Sequence, residues 1–399
     1  MRRAMFVLAM SWAAPTLLPA QDNTELLNRI KAMEERIRTL ESEVQALKSQ
    51  PAPAPALAPA LAPAPPQAQA PAGAAAGSKV FNPDIAVIGN FFGAAGQGAG
   101  RGAPALEMHE SEASFQAIID PYARADFFLS FGEQGVSLEE GYLTFTALPA
   151  GLQLRAGKMR AAFGKVNTFH THVLPWVDRP LVTQNLLAGE DGLNDAGLSL
   201  SRILPAPKNI FLEATAQVFR GDTEGVFRSW HRSNLAAIGH LRGYRDISES
   251  TNLDLGFSYA RGHSPDGPRL INQLYGLDAT LRWKPLRRAI YRSFVTRSEL
   301  VWGRTQQPSQ VARPFGYYVA SDYQLARRWF LGGRFDRSGR LADPALHDTA
   351  GSVILTFWPS EFSQIRGQLR RTRYAERLTA NELLFQFQFS IGAHGAHPF

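Results

Sequence analysis

The sequence predicts an all-β chain, a transmembrane antiparallel β-barrel of about sixteen strands preceded by a short α-helical coiled coil and a Pro/Ala-rich linker. Three observations predict it. Apolar and polar residues alternate along most segments beyond residue 79. The connections between those segments are short and long by turns. The longest apolar runs are broken by Gly, Pro or charge within about ten residues, too short for a helical span.

Residues 1–20 read as a secretory signal: Arg2 and Arg3 form a basic start, Met5 to Ala14 is apolar, and Leu18-Pro19-Ala20 ends in a small residue suited to cleavage. Residues 21–49 follow as a coiled coil. Leu26, Ile30, Met33, Ile37, Leu40, Val44 and Leu47 are spaced 4-3-4-3-4-3, which sets Ile30, Ile37 and Val44 at a. The flanking pairs Arg29–Glu34, Arg36–Glu41 and Glu43–Lys48 are opposite in charge and favour a parallel homo-oligomer; a lone amphipathic helix is the alternative. β-branched a positions with Leu at d lean toward a dimer. Residues 50–78, alternating Pro and Ala, predict an extended, semi-rigid spacer.

Residues 79–399 predict the barrel. Leu383 to Ile391, Leu253 to Tyr259, Tyr275 to Trp283, Leu212 to Val218 and Val353 to Phe357 alternate with period two and bury one face each. Short turns fall at Asp120-Pro121, Leu148 to Gly151, Leu204 to Pro207, Lys284-Pro285 and Trp358 to Ser360. Longer loops fall at Ala94 to Glu107, Phe163 to Asn194, Gly221 to Ser233 and Gly262 to Ile271. Short turns on one rim and long loops on the other are what a membrane barrel shows. Tyr122, Tyr142, Trp283, Trp302, Trp329 and Trp358 sit near strand ends, as interfacial girdles require. A soluble sandwich or propeller is the competing architecture, but it would turn Leu and Phe inward.

The stretch Glu139 to Gly164, EEGYLTFTALPAGLQLRAGKMRAAFG, resembles the phosphate-selective porin O and P family in its strand, its Leu-Pro-x-Gly turn, and the positions filled by Arg155, Gly157, Lys158, Met159, Arg160, Phe163 and Gly164. The order of leader, coiled coil, spacer and sixteen strands is similar too. The resemblance implies a trimeric outer-membrane channel in which clustered Arg and Lys favour anions. The residues of that family's constriction do not map one by one here, and residues 392–398 interrupt the alternation before the final Phe399.

Parity along the strands predicts which side chains face the lumen. Arg124, Arg155, Arg242, Arg282, Lys284, Arg297, Arg334, Arg366 and Arg370 fall on that face, as do Asp126, Glu213, Asp254, Asp278, Glu299, Asp322 and Asp336. The barrel segment carries 35 basic and 29 acidic residues, a net charge of +6, and thirty of the basic ones are Arg. Lumenal guanidinium groups attract anions and grip oxyanions bidentately; the alternative is that they pair with neighbouring acids and fill the wall. Arg366 and Arg370 are favoured because their own strand carries no inward acid. The connection from Phe163 to Asn194, with Trp176, Asp178, Arg179 and a helical turn over Leu181 to Leu187, is expected to fold into the lumen as a constriction.

No metal site or cofactor is expected. His170-Thr171-His172, with Asp178 nearby, reads as an exposed, unliganded pair, as do His394 and His397. No phosphate loop, nucleophile elbow or HExxH motif appears, so no enzyme is expected. The chain has no cysteine, which excludes disulfides and thiolate zinc sites. Dispersed Arg and an export signal argue against nucleic acid. The function expected is passive diffusion of small hydrophilic solutes, anions favoured, with outer-membrane lipid and further copies of the chain as partners and the coiled coil in the periplasm. Two alternatives are a barrel-anchored tether to the cell wall and a gated receptor-transporter; the latter needs a plug domain that residues 21–78 do not supply.

Overall fold

A computed structural model of the chain describes residues 83–98, 104–133 and 135–392, together with Glu35, Arg38, Thr39 and Ser42. Contacts divide the chain into residues 1–72 and residues 73–399. In the first unit the four described residues are helical, and the Thr39 hydroxyl donates to the Glu35 carbonyl one turn back at 2.9 Å. The signal, the heptad seam as a whole, the spacer and Phe399 lie outside the described residues.

The second unit is built from β1 (Asp84–Gln97), β2 (Leu106–Met108), β3 (Ser111–Asp120), β4 (Ala123–Gly132), β5 (Gly135–Phe145), β6 (Leu152–Arg160), β7 (Asn194–Leu204), β8 (Ile210–Phe219) and β9 (Ala236–Ser248). It continues with β10 (Thr251–His263), β11 (Ile271–Trp283), β12 (Phe294–Gln306), β13 (Val311–Ala312), β14 (Phe315–Ala326), β15 (Trp329–Gly339), β16 (His347–Ser360), β17 (Ser363–Arg373) and β18 (Thr379–Gly392). All pairings are antiparallel, mostly between strands adjacent in sequence. β18 returns to β1 over twelve register pairs, from Ala86↔Gly392 to Gln97↔Asn381, and closes the sheet. β2 and β3 both pair with β1, and β13 and β14 both pair with β12, so the eighteen segments occupy sixteen wall positions, as expected.

The two faces are inverted relative to a soluble sheet. On β10, Leu255 and Phe257 are exposed while Asp254 and Ser258 are buried; Val353 and Leu355 against Ser352 and Thr356 repeat the pattern on β16. An apolar outside and a satisfied polar inside is the arrangement hydrocarbon demands, since closure leaves no strand edge unpaired. Aromatic side chains gather toward the rims. Tyr259, Tyr275 and Trp302 stack in file across β10, β11 and β12 at 5.2 and 5.9 Å, and Trp329 stacks on Phe357 at 4.5 Å. Two residues assigned to the girdles point elsewhere. Tyr142 faces the interior under the Arg155 guanidinium, and Trp358 lines an internal cavity.

The glycine of the Arg-x-Gly-Lys stretch has a local cause. Gly157 adopts φ +147°, and a Cβ there would overlap the carbonyl oxygen of Gly141 on the paired strand β5. Gly157→Ala is expected to cost about 1–3 kcal/mol, read as a lower midpoint of thermal unfolding of the refolded barrel. Gly239→Ala, where a Cβ meets nothing within 4 Å, is expected to leave the midpoint unchanged.

Candidate functional site

The connection between β6 and β7 turns inward. It carries 3-10 turns at Val166–Thr168 and Thr171–Val173 and a short helix α1 (Leu181–Leu186), one residue shorter than expected. Its backbone donors are taken up by the wall. Ala162 N–H donates to Gln217 Oε1 on β8 at 2.7 Å, and Gly164 N–H to Ser258 Oγ on β10 at 2.8 Å. The amides of Lys165 and Val166 both donate to Glu299 Oε1 on β12, at 2.8 and 2.7 Å. Farther along, Val177 N–H reaches Gln368 on β17, Leu181 N–H reaches Asp336 on β15, and the Asn185 amide reaches Asp348 on β16. His170 meets Glu112 on β3 and Glu140 on β5. Acceptors on strands all around the ring can be met only from inside it. A buried backbone must find such partners, and the polar inner wall supplies them.

Apolar packing adds to these bonds. Phe163, Val166, Leu174, Trp176, Leu186 and Leu187 are buried against Leu274, Val301, Tyr318 and Ile354 of the wall. Trp176 meets Tyr318 edge to face at 5.2 Å, and the Arg334 guanidinium lies 5.0 Å over the Trp176 ring. Burying an aromatic of this size with a shaped partner is a strong local anchor.

Asp178 is the charged anchor. Arg334 grips both its oxygens at 2.9 Å, Arg370 donates to Oδ2 at 2.5 Å, and the Gln368 amide donates to Oδ1 at 2.5 Å. Burial alone would raise the pKa of this carboxyl, but the two guanidinium groups outweigh it and hold Asp178 at about 2. Asp178 is thus committed to arginines and does not join His170 and His172. Arg179 turns the other way and brackets the loop, donating to the carbonyls of Val166 and Phe169.

The arginines singled out by parity are found in different states. Arg334 and Arg370 are buried and paired; besides Asp178 they hold Asp336 and Glu382 at 2.7 Å each. The expectation that Arg370 lacks an acid is therefore corrected: its acids come from β18 and from the loop, not from its own strand. Arg242 pairs with Asp254, Arg297 with Asp322, and Arg124 with Asp126. Arg155 stacks over Tyr142 at 5.2 Å. Arg366 is buried without a carboxylate partner among the described residues. It donates to the carbonyls of Leu174 and Trp176, to Gln386 Oε1 and to Thr356 Oγ1. Beneath the loop, toward the short-turn rim, Arg282, Lys284, Arg297 and Arg366 face a cavity of about 160 Å³ in which Asp322 is the one lining acid.

Toward the long-loop rim the charge reverses. Glu112, Glu139, Glu140 and His170 converge there, with His172 Nδ1 3.4 Å from Glu112. Glu139 and Glu140 are adjacent yet both buried, because a bulge shifts the β4–β5 register at Phe128/Leu129. Burial disfavours the His170 imidazolium, but hydrogen bonds to Glu112, Glu139 and Glu140 prevail and raise its pKa well above the ordinary range. Sequence reading missed these glutamates; parity forbids two neighbours on one face, and no local signal marks the bulge.

No protein-family model matches the chain. An uncharacterized protein of Aquifex aeolicus is 29% identical over 337 residues, covering 74% of this chain and 70% of the relative. Among solved structures, the trimer form of OmpT, an outer membrane protein of Vibrio cholerae, superposes with a TM-score of 0.54 at 9% identity, covering 77% of this chain and 99% of that one. An anion-selective porin from Comamonas acidovorans gives 0.53 at 9% identity, over 77% of this chain and 98% of that one. The outer membrane channel DcaP of Acinetobacter baumannii gives 0.52 at 8% identity, over 78% and 96%. The chain shares the barrel fold of these outer-membrane proteins.

Proposed function

We propose that the chain is an outer-membrane porin through which small hydrophilic solutes diffuse passively, anions ahead of cations. The observation that carries this reading is the cavity under the infolded loop, where four cationic side chains face one lining acid. Closely spaced guanidinium and ammonium groups in a low-dielectric wall raise the local concentration of anions. Oxyanions of the phosphate class fit the planar fork of Arg best, in keeping with the resemblance around Arg155 to Gly164. The polar inner wall and the superposition on an anion-selective porin support the reading. The assembly is a homotrimer in outer-membrane lipid, with the coiled coil in the periplasm; the trimer form of OmpT is the structural parallel.

The test is reversal potential across planar bilayers in a salt gradient. The wild type is expected to prefer chloride over potassium. Arg282→Gln combined with Lys284→Gln is expected to lower that preference roughly twofold or more, since rings of charge set selectivity. Arg370→Ala is expected to change it little, its charge being already matched by Asp178 and Glu382. A cation-preferring wild type sinks the anion reading.

A second reading is a barrel that anchors a tether to the cell wall. The apolar packing of the loop around Trp176 and Tyr318 favours it, because such packing withdraws lumen space from solutes. Absence of ohmic conductance in the same bilayers selects this reading over the channel.

A further inference from the structure

We propose that Glu112, Glu139 and His170 form a binding site for a divalent transition cation of the zinc class, with His172 as the fourth donor. Its failure leaves the channel reading untouched, because Glu112, Glu139 and His170 do not line the basic cavity; of the four donors His172 alone does.

The donors are preset. His170 Nδ1 lies 2.6 Å from Glu112 Oε2 and 3.2 Å from Glu139 Oε2, and the three ligand atoms lie within 4.8 Å of one another. His172 Nδ1 stands 3.4 Å from the same Glu112 oxygen. A tetrahedral ion with bonds of about 2.0 Å spaces its ligands roughly 3.3 Å apart; the 3.2 and 3.4 Å separations match this, and the 2.6 Å hydrogen bond between His170 and Glu112 would open to admit the ion. Imidazole nitrogen with carboxylate oxygen is a donor set of zinc and its neighbours, not of calcium, which takes oxygen alone.

The surroundings are those of a metal-binding histidine. Glu140 Oε2 lies 2.8 Å from His170 Nε2. Once a metal displaces the Nδ1 proton shared with Glu112, Glu140 would keep the proton on Nε2, the role a carboxylate plays behind a ligating histidine. Phe128 packs against the His170 ring at 5.0 Å and limits its rotation.

The site is rich in carboxyl groups. Glu139 is 5% exposed, and the carboxyl of Glu110 is hydrogen-bonded to it. Arg160, 2.9 Å from Glu139 Oε2, is the one cationic side chain other than histidine paired with these glutamates among the described residues. A divalent ion would take over from the His170 proton in balancing these buried carboxylates. A cavity of about 290 Å³, lined by Glu107, Glu110, Glu190 and Asp191 among others, extends to Arg160 and Thr171, the neighbours of the site. A bound ion would join the loop to β3 and β5.

The experiment is calorimetric titration of zinc chloride into untagged, chelator-treated protein in detergent. One saturable site per protomer is expected, with calcium chloride giving no comparable heat. His170→Ala and Glu139→Gln are each expected to weaken binding at least tenfold, and Glu140→Gln by about 10–100-fold. His347→Ala, an exposed histidine outside the cluster, is expected to leave it unchanged. Should His170→Ala fail to fold, zinc-edge absorption on the wild type decides, with mixed nitrogen and oxygen coordination expected. No saturable zinc binding, binding indifferent to Glu139→Gln and Glu140→Gln, or an all-oxygen shell overturns the proposal.

Discussion

Removing residues 170–188 is expected to raise single-channel conductance roughly twofold or more, since conduction follows the width of the narrowest section. The segment contains Trp176, Asp178 and α1, whose contacts span the interior from β5 to β17. Its loss replaces an apolar plug by water and hydrates Arg334, Arg366 and Arg370, which now donate to loop oxygens. The β1–β18 hydrogen-bond ladder does not use this segment, although Val177 packs against Phe92 and Leu384 on the inner side of that seam, so the shortened protein is expected to remain a barrel, checked by the sheet signal in circular dichroism. Unchanged conductance would show that the constriction lies elsewhere.

The second large effect is expected at Asp178. Asp178→Ala takes one partner from two buried guanidinium groups, a change that costs about 3–5 kcal/mol when the remaining charge stays buried. The loss falls on loop docking. Faster hydrogen exchange over 170–188 and a noisier, larger current are the expected readouts, and exchange like that of the wild type would remove Asp178 from its anchoring role. The same pair sets an acid limit. With the folded pKa near 2 and the unfolded one near 3.9, the contribution is fully present above the unfolded value and fades as pH falls toward the folded one. Loop exchange is therefore expected to be flat from neutral pH to about 4 as far as Asp178 governs it, and to rise below that.

What the sequence disclosed follows from how each feature is encoded. Alternation along β10, β16 and β18 is local, so the barrel was legible from parity. The infolding of residues 163–194 was legible from length and from Trp176, because a long loop with a large aromatic needs somewhere to bury it. The partners were not legible. Asp178 meets Arg370 across 192 positions, and no spacing rule relates them. The Glu112–Glu139–Glu140–His170 cluster depends on three separated segments and on one bulge, which reversed the expectation of an exposed histidine pair. Arg370 shows the same limit, since counting acids on one strand says nothing about those on the next.

The position of the inward loop in the chain has a kinetic consequence. Residues 161–193 emerge before β8, yet their hydrogen-bond partners include Ser258, Glu299, Asp336 and Gln368, and the wall itself shuts only when β18 reaches β1. The segment must wait as an unsatisfied, partly apolar strand of polypeptide until the second half of the protein arrives, and must be inside before the last seam zips. Contacts so distant in sequence make maturation slow. The vulnerable interval is the one just before closure, when Trp176 and its neighbours are still wet.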